Sequence, residues 1–109
     1  MNAASRTFIR VFTPGSLKFQ LRKGEFGISI FDPDAVNPPL TETEILASFR
    51  PGSQSVSRTE TQIHAQGLTI VSVPGGSQLP HRLQVAHAEI QTGLGMKRDQ
   101  FKAALKRLE

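Results

Sequence analysis

The sequence predicts an α+β domain: a twisted, mostly antiparallel sheet, possibly split into two halves around a cleft, with one short capped helix and one C-terminal amphipathic helix packed on it. Three observations predict it. Short runs of β-branched and aromatic residues recur between glycine- and proline-rich turns, as strands do. A single T-x-x-E box, Thr41 to Glu44, stands before Ile45 and Leu46. Near the end, Phe101, Ala104, Leu105 and Leu108 fall at i, i+3, i+4 and i+7, one apolar stripe of a helix.

Residues 1–6 are polar and read as a loose lead-in. Residues 7–12 (T-F-I-R-V-F) make a strand with Phe8, Arg10 and Phe12 on one face and Ile9 and Val11 on the other. Two readings of Arg10 stay open: a cation snorkelling over its flanking Phe rings, or one at the mouth of a pocket. After the T-P-G-S turn, Leu17, Phe19 and Leu21 alternate with Lys18, Gln20 and Arg22, which predicts a half-buried strand. Residues 27–32 (G-I-S-I-F-D) give the next strand. Ser29 shares its face with Gly27 and Phe31, and glycine there leaves space for a close approach to the backbone.

Residues 32–39, with Pro38 and Pro39 adjacent, are loop. The capped helix ends near Phe49, since Pro51 disfavours helical geometry at Arg50. Residues 51–61 read as a long polar loop, functional or mobile, and residues 62–65 as a short strand. Residues 68–73 (L-T-I-V-S-V), apolar on both faces, predict a central strand, closed by the P-G-G-S turn. The last strand is placed at residues 82–90, with a helical start as the alternative because Leu83 and His87 are four apart. On it His87, Glu89 and Gln91 share a face. Gly93 and Gly95 end it, and the closing helix covers residues 97–108.

A mid-strand carboxylate between Ala88 and Ile90 needs a partner, so Glu89 is where chemistry is sought first. Bulk properties narrow the field. The 109 residues make one domain, large enough to bury roughly two thirds of its unfolded surface. With no cysteine there is no disulfide framework, thiol nucleophile or cysteine-ligated zinc. His64, His81 and His87 match no metal-ligand spacing, so no metal is expected. No apolar run approaches the ~20 residues of a membrane span and no signal-peptide block is seen, so a cytoplasmic protein with no membrane contact is expected. The +4 net charge gathers in the tail, at Lys97, Arg98, Lys102, Lys106 and Arg107. These charges surround the helix rather than form a strip, and no nucleic-acid motif accompanies them, so nucleic acid is not the favoured partner. A Ser29–His87–Glu89 set could be drawn up as a nucleophilic triad, but no G-x-S-x-G turn supports it.

What remains is Arg10, then Ser29, then His87 with Glu89, each on a separate strand. That order resembles the layout of the ADP-ribosyltransferase superfamily. F-I-R-V-F, G-I-S-I-F-D and R-L-Q-V-A-H-A-E-I, leading into a Met-containing helix, are similar to the L-Y-R, G-x-S-V-F-D and R-L-Q-A-x-H-Y-x-I blocks of small ADP-ribosyltransferase-like toxins delivered by type VI secretion. The likeness covers three short blocks, under half of the chain. Arg10, Ser29, Asp32 and His87 fall on that family's pattern; Glu89 lies outside it. The resemblance implies a single ADP-ribosyltransferase-like domain over residues 1–109, NAD as cofactor, an unknown acceptor, and an antitoxin partner in the producing cell. It implies that Arg10 and Ser29 bind the cofactor and that His87 contacts the bound nucleotide. Glu89 would act as the catalytic carboxylate, stabilising an oxocarbenium-like state as the nicotinamide–ribose bond breaks. The alternative is a non-enzymatic binding module whose basic C-terminal helix meets an acidic protein or nucleic acid; a toxin-like fold without turnover is a third reading.

Overall fold

The computed structural model describes residues 5–76 and 78–109. Residues 1–4 of the expected lead-in, and Ser77 of the P-G-G-S turn, lie outside the described residues. Five strands form one antiparallel sheet: β1 (Thr7–Phe12), β2 (Ile28–Phe31), β3 (Gln54–Thr59), β4 (Thr69–Ser72) and β5 (His87–Gln91), in the spatial order β3-β1-β2-β5-β4. Four helices accompany it: α1 (Glu42–Leu46), α2 (Glu60–His64), α3 (His81–Ala86) and α4 (Arg98–Arg107). The predicted class, α+β with an antiparallel sheet, a capped helix and a closing helix, is what the chain forms. Among the described residues no helix is long and apolar enough to cross a membrane.

The pairing is uneven. β1 pairs with β3 along all its residues, from Thr7 opposite Thr59 to Phe12 opposite Gln54. β2 pairs with β5, and β5 with β4, over four positions each. Between β1 and β2, however, the register holds only Ile9 opposite Phe31. The sheet is thus a β3-β1 half and a β2-β5-β4 half, joined at one residue pair.

Alternation along the strands gives each face its own core. One face carries Phe8, Ile28, Ile30, Ala88 and Ile90, packed with Ile63 of α2 and with Phe101, Ala104 and Leu105 of α4 and Leu108 just beyond it. The apolar stripe read for the closing helix is buried at every position, with no member more than 4% exposed. The other face carries Phe31 with Ile9 and Val11, covered by Ile45 of α1, Leu83 and Ala86 of α3, and Leu40. Helix α1 begins where Thr41 Oγ1 accepts the Glu44 N–H at 3.1 Å. The Glu44 carboxylate does not close the box. It takes two hydrogen bonds from Arg82 of α3, at 2.7 and 3.2 Å, and so ties α1 to α3.

Several expectations are corrected. Residues 17–21 are not a strand. The Lys18 and Phe19 N–H groups donate to the Glu109 carboxylate at 2.8 and 2.7 Å, and the Lys18 carbonyl accepts from Arg10, so side chains satisfy backbone groups that a ladder would otherwise need. Phe19 is still buried, as the alternation required. Residues 51–61 are not a long loop: β3 fills most of that stretch because β1 offers it a full-length partner. Residues 62–65 are not a strand but lie in and just past α2, whose capping box joins Thr59 and Gln62 reciprocally at 3.1 and 2.8 Å. β4 is an edge strand rather than a central one: Ile70 packs on the core while Val71, 38% exposed, faces outward. The last strand starts at His87, since residues 81–86 form α3 after Pro80 and bury Leu83 and Ala86 together. The lead-in is anchored at Ser5 and Arg6: Ser5 Oγ accepts from the Thr61 N–H, and Arg6 pairs with Asp32 at 3.0 Å.

Two outcomes follow. Phe101→Ala should lower unfolding stability by about 3–5 kcal/mol in a urea titration, because the ring is enclosed on the α4 face of the sheet. The Arg82 hydrogen bonds hold the Glu44 carboxyl below its ordinary value. A carboxyl lowered on folding stabilises above its unfolded value and loses that contribution as pH falls through the folded one. The stability difference between the parent protein and Glu44→Gln should therefore fade in acid; a difference that persists unchanged would count against the pair.

Candidate active site

Ser29, near the middle of β2, lies directly opposite Glu89 of β5, and Glu89 in turn opposite Val71 of β4. Two residues along, Phe31 lies opposite His87. Because residues of one parity share a face, Ser29, His87 and Glu89 stand on the same side of the sheet, and Gln91 with them. That is the side of the core built on Phe31. Its sheet surface runs past the core at Ser29, which is exposed, and at Glu89, which is half-buried.

His87 is held from several directions. Its Nδ1 lies 2.7 Å from the Val73 carbonyl, a pure acceptor, so Nδ1 carries the hydrogen. In the neutral ring Nε2 is then an acceptor, and it lies 3.1 Å from Ser29 Oγ. The ring centroid sits 5.7 Å from that of Phe31. Glu89 is not the group that orients His87, so the three do not form a Ser–His–carboxylate relay. Glu89 Oε1 instead accepts from Gln91 Nε2 at 3.0 Å. The absent side chain at Gly27 is what leaves the carboxylate its place, since a Cβ there would lie 2.7 Å from Glu89 Oε1.

Arg10 approaches differently. By parity it belongs with Phe8 on the opposite face, but beyond Ile9 the two strands carry no further paired residues. There its Nη1 donates to the Ser29 carbonyl and its Nε to the Lys18 carbonyl, both at 2.9 Å. It does not snorkel; it spans the gap between the two halves of the sheet. Burial pushes this guanidinium below its ordinary value, Glu25 partly offsets that, and the neighbouring positive charge of Arg22 adds to it. Among the described residues the ion pairs are Arg6–Asp32 and Arg82–Glu44, so no carboxylate lies within 4.0 Å of Arg10.

No protein-family model, no curated protein and no solved structure matches this chain.

Of the residues singled out in the sequence, Ser29, His87 and Glu89 converge on one face, and Arg10 reaches the same strand position through its backbone carbonyl. Asp32 stands apart. It is buried, pairs with Arg6, and accepts the Asp34 N–H as cap of the short 3-10 turn Pro33–Ala35. Its part is structural. His64 lies on α2 and His81 on α3, and among the described residues no three His, Asp or Glu side chains gather as metal ligands. Arg22 and Phe49, which carry no site signal in the sequence, line a groove of about 250 Å³ beside Arg10.

Gly27→Ala should displace the Glu89 carboxylate without unfolding the protein. The chemical shift of that carboxyl should move, while stability falls by no more than about 1–3 kcal/mol, because the two closest atoms, Oε1 and Cδ, lie at the end of a side chain that can turn away. An unmoved Glu89 signal would contradict the close approach.

Proposed function

We propose that this chain is an NAD-using ADP-ribosyltransferase-type toxin that cleaves the nicotinamide–ribose bond and transfers ADP-ribose to an acceptor. The single observation carrying this reading is the pairing of Ser29 with Glu89 across adjacent strands, with a half-buried arginine held at the same strand position and, among the described residues, no carboxylate within 4.0 Å of it. A half-buried guanidinium bonded only to carbonyls keeps its charge for an anion, which suits the diphosphate of NAD. Glu89, kept in place by Gln91, would hydrogen-bond a ribose hydroxyl and oppose the positive charge that develops as the C1′–N bond breaks. Nicotinamide leaves with the bonding pair, the acceptor's nucleophile bonds to C1′, and the acceptor's proton is released. Ser29 supports the nicotinamide end, and His87 holds Ser29 and contacts the nucleotide. In this reading a cognate antitoxin protects the producing cell, and the chain acts in the cytoplasm.

The rival reading, a binding module working through the basic closing helix, has less to draw on. Arg98 spends its guanidinium on the Glu25 and Arg22 carbonyls, and Arg107 donates to Gln66. Lys97, Lys102 and Lys106 remain, and the last two border an apolar hollow with Leu17, Phe19 and Leu21.

Incubation with labelled NAD and cell extract tests the proposal. Glu89→Gln should lower kcat about 10²- to 10³-fold with little change in KM, the loss typical of removing one charge-stabilising group. Arg10→Lys should mainly raise KM for NAD. Lys102→Glu with Lys106→Glu should leave turnover intact. NAD that stays whole, or turnover indifferent to Glu89, would remove the enzymatic reading.

A further inference from the structure

The groove beside Arg10 lies where β1 leaves β2, lined by Arg10, Val11, Phe12, Ser16, Arg22 and Phe49 among others. It holds two guanidinium groups and no carboxylate lines it. The apolar hollow on α4 is different: there Lys102 and Lys106 share their surroundings with Glu109. Lys18 adds a further positive charge nearby, its Nζ 5.9 Å from the Phe12 ring centroid. Glu25, the acid whose charge most affects Arg10, is bound to a backbone group, accepting the Arg22 N–H at 2.7 Å.

Arg10 brings more donors than its neighbours use. A guanidinium has five N–H groups, and two are bonded to the Lys18 and Ser29 carbonyls. The other three have no partner among the described residues. Those donors are not buried, so they can meet an anion that enters the groove beside the exposed Arg22. The volume sets the ligand's size. About 250 Å³ is below the usual range of roughly 300–1,000 Å³ for a whole drug-sized molecule. A diphosphate with its ribose fills such a space, and Phe12 and Phe49 offer apolar surface at its margin.

We infer that this groove is an anion site that takes the diphosphate of a nucleoside diphosphate, and that Arg22 shares the anion with Arg10. The nucleotide part of the assignment rests on the NAD reading above; the anion part rests on the groove's own residues. Arg22 is thereby a binding residue from outside the three strands that carry Arg10, Ser29 and Glu89.

Calorimetric titration of ADP-ribose and of adenosine into the full chain and into Arg22→Gln tests this. The Arg22 backbone bonds, from its N–H to Glu25 and to its carbonyl from Arg98, do not involve the side chain being replaced, so the fold should hold. ADP-ribose should bind the parent protein at least tenfold more tightly than adenosine. Arg22→Gln should weaken ADP-ribose by about tenfold or more, the worth of one charged hydrogen bond, and leave adenosine unchanged. The amide signals of Thr13, Ser16 and Arg22 should shift on adding ADP-ribose. Absent binding, equal affinity in Arg22→Gln, or shifts confined to other regions would overturn the assignment. ADP-ribose binding that depends on Arg22, in a protein that leaves NAD intact, keeps the anion site and removes the transferase. NAD turnover indifferent to Arg22 does the reverse.

Discussion

The arrangement of the site depends on one side chain spanning a gap. β1 and β2 meet at Ile9 and Phe31 and share no other paired position, so nothing in the ladder fixes how far they spread beyond it. Arg10 supplies that constraint by holding the Ser29 carbonyl of β2 and the Lys18 carbonyl of the segment between the strands. The Glu109 carboxylate then takes the neighbouring Lys18 and Phe19 amides, and Arg58 of β3 donates to the Leu108 and Glu109 carbonyls. Side chains and free backbone groups thus close a region that regular strand pairing leaves open. A sheet completed with more backbone pairs would be tidier and would have no groove there.

The two faces of the sheet divide the work. The face under α2 and α4 is filled with Phe and Ile and supplies most of the burial. The other face is only partly covered: α1 and α3 shield Phe31, while the Ser29–Glu89 row extends past them into contact with solvent. Polar groups can stand in mid-strand because that row has no helix over it. Each also has a bond of its own, Ser29 with His87 and Glu89 with Gln91.

How much of this could be read from the chain depended on whether the deciding forces were local. The stripe Phe101–Ala104–Leu105–Leu108, the Thr41 cap and the shared face of His87, Glu89 and Gln91 follow from periods that a single segment contains. The errors arose where a distant partner decided. Residues 17–21 have a strand's alternation, but Glu109 and Arg10, both outside the segment, claim their backbone. β3 looked like loop because its Ser- and Thr-rich sequence becomes a strand only beside β1. Thr59-x-x-Gln62, by contrast, is the same capping signature as Thr41-x-x-Glu44, and that local pattern alone places a helix there. At the site, Ser29, His87 and Glu89 were legible through alternation. Arg22 was not, because its place in the groove is set by the turn that Arg98 grips from α4.

Helix α3 runs into β5 with no residue between them: Ala86 ends the one and His87 begins the other. The imidazole is therefore one peptide away from a helix that Arg82 fastens to the Glu44 carboxylate and the Pro38 carbonyl. Packing beneath the Phe31 face and the orientation of the ring beside Ser29 thus share one continuous piece of backbone.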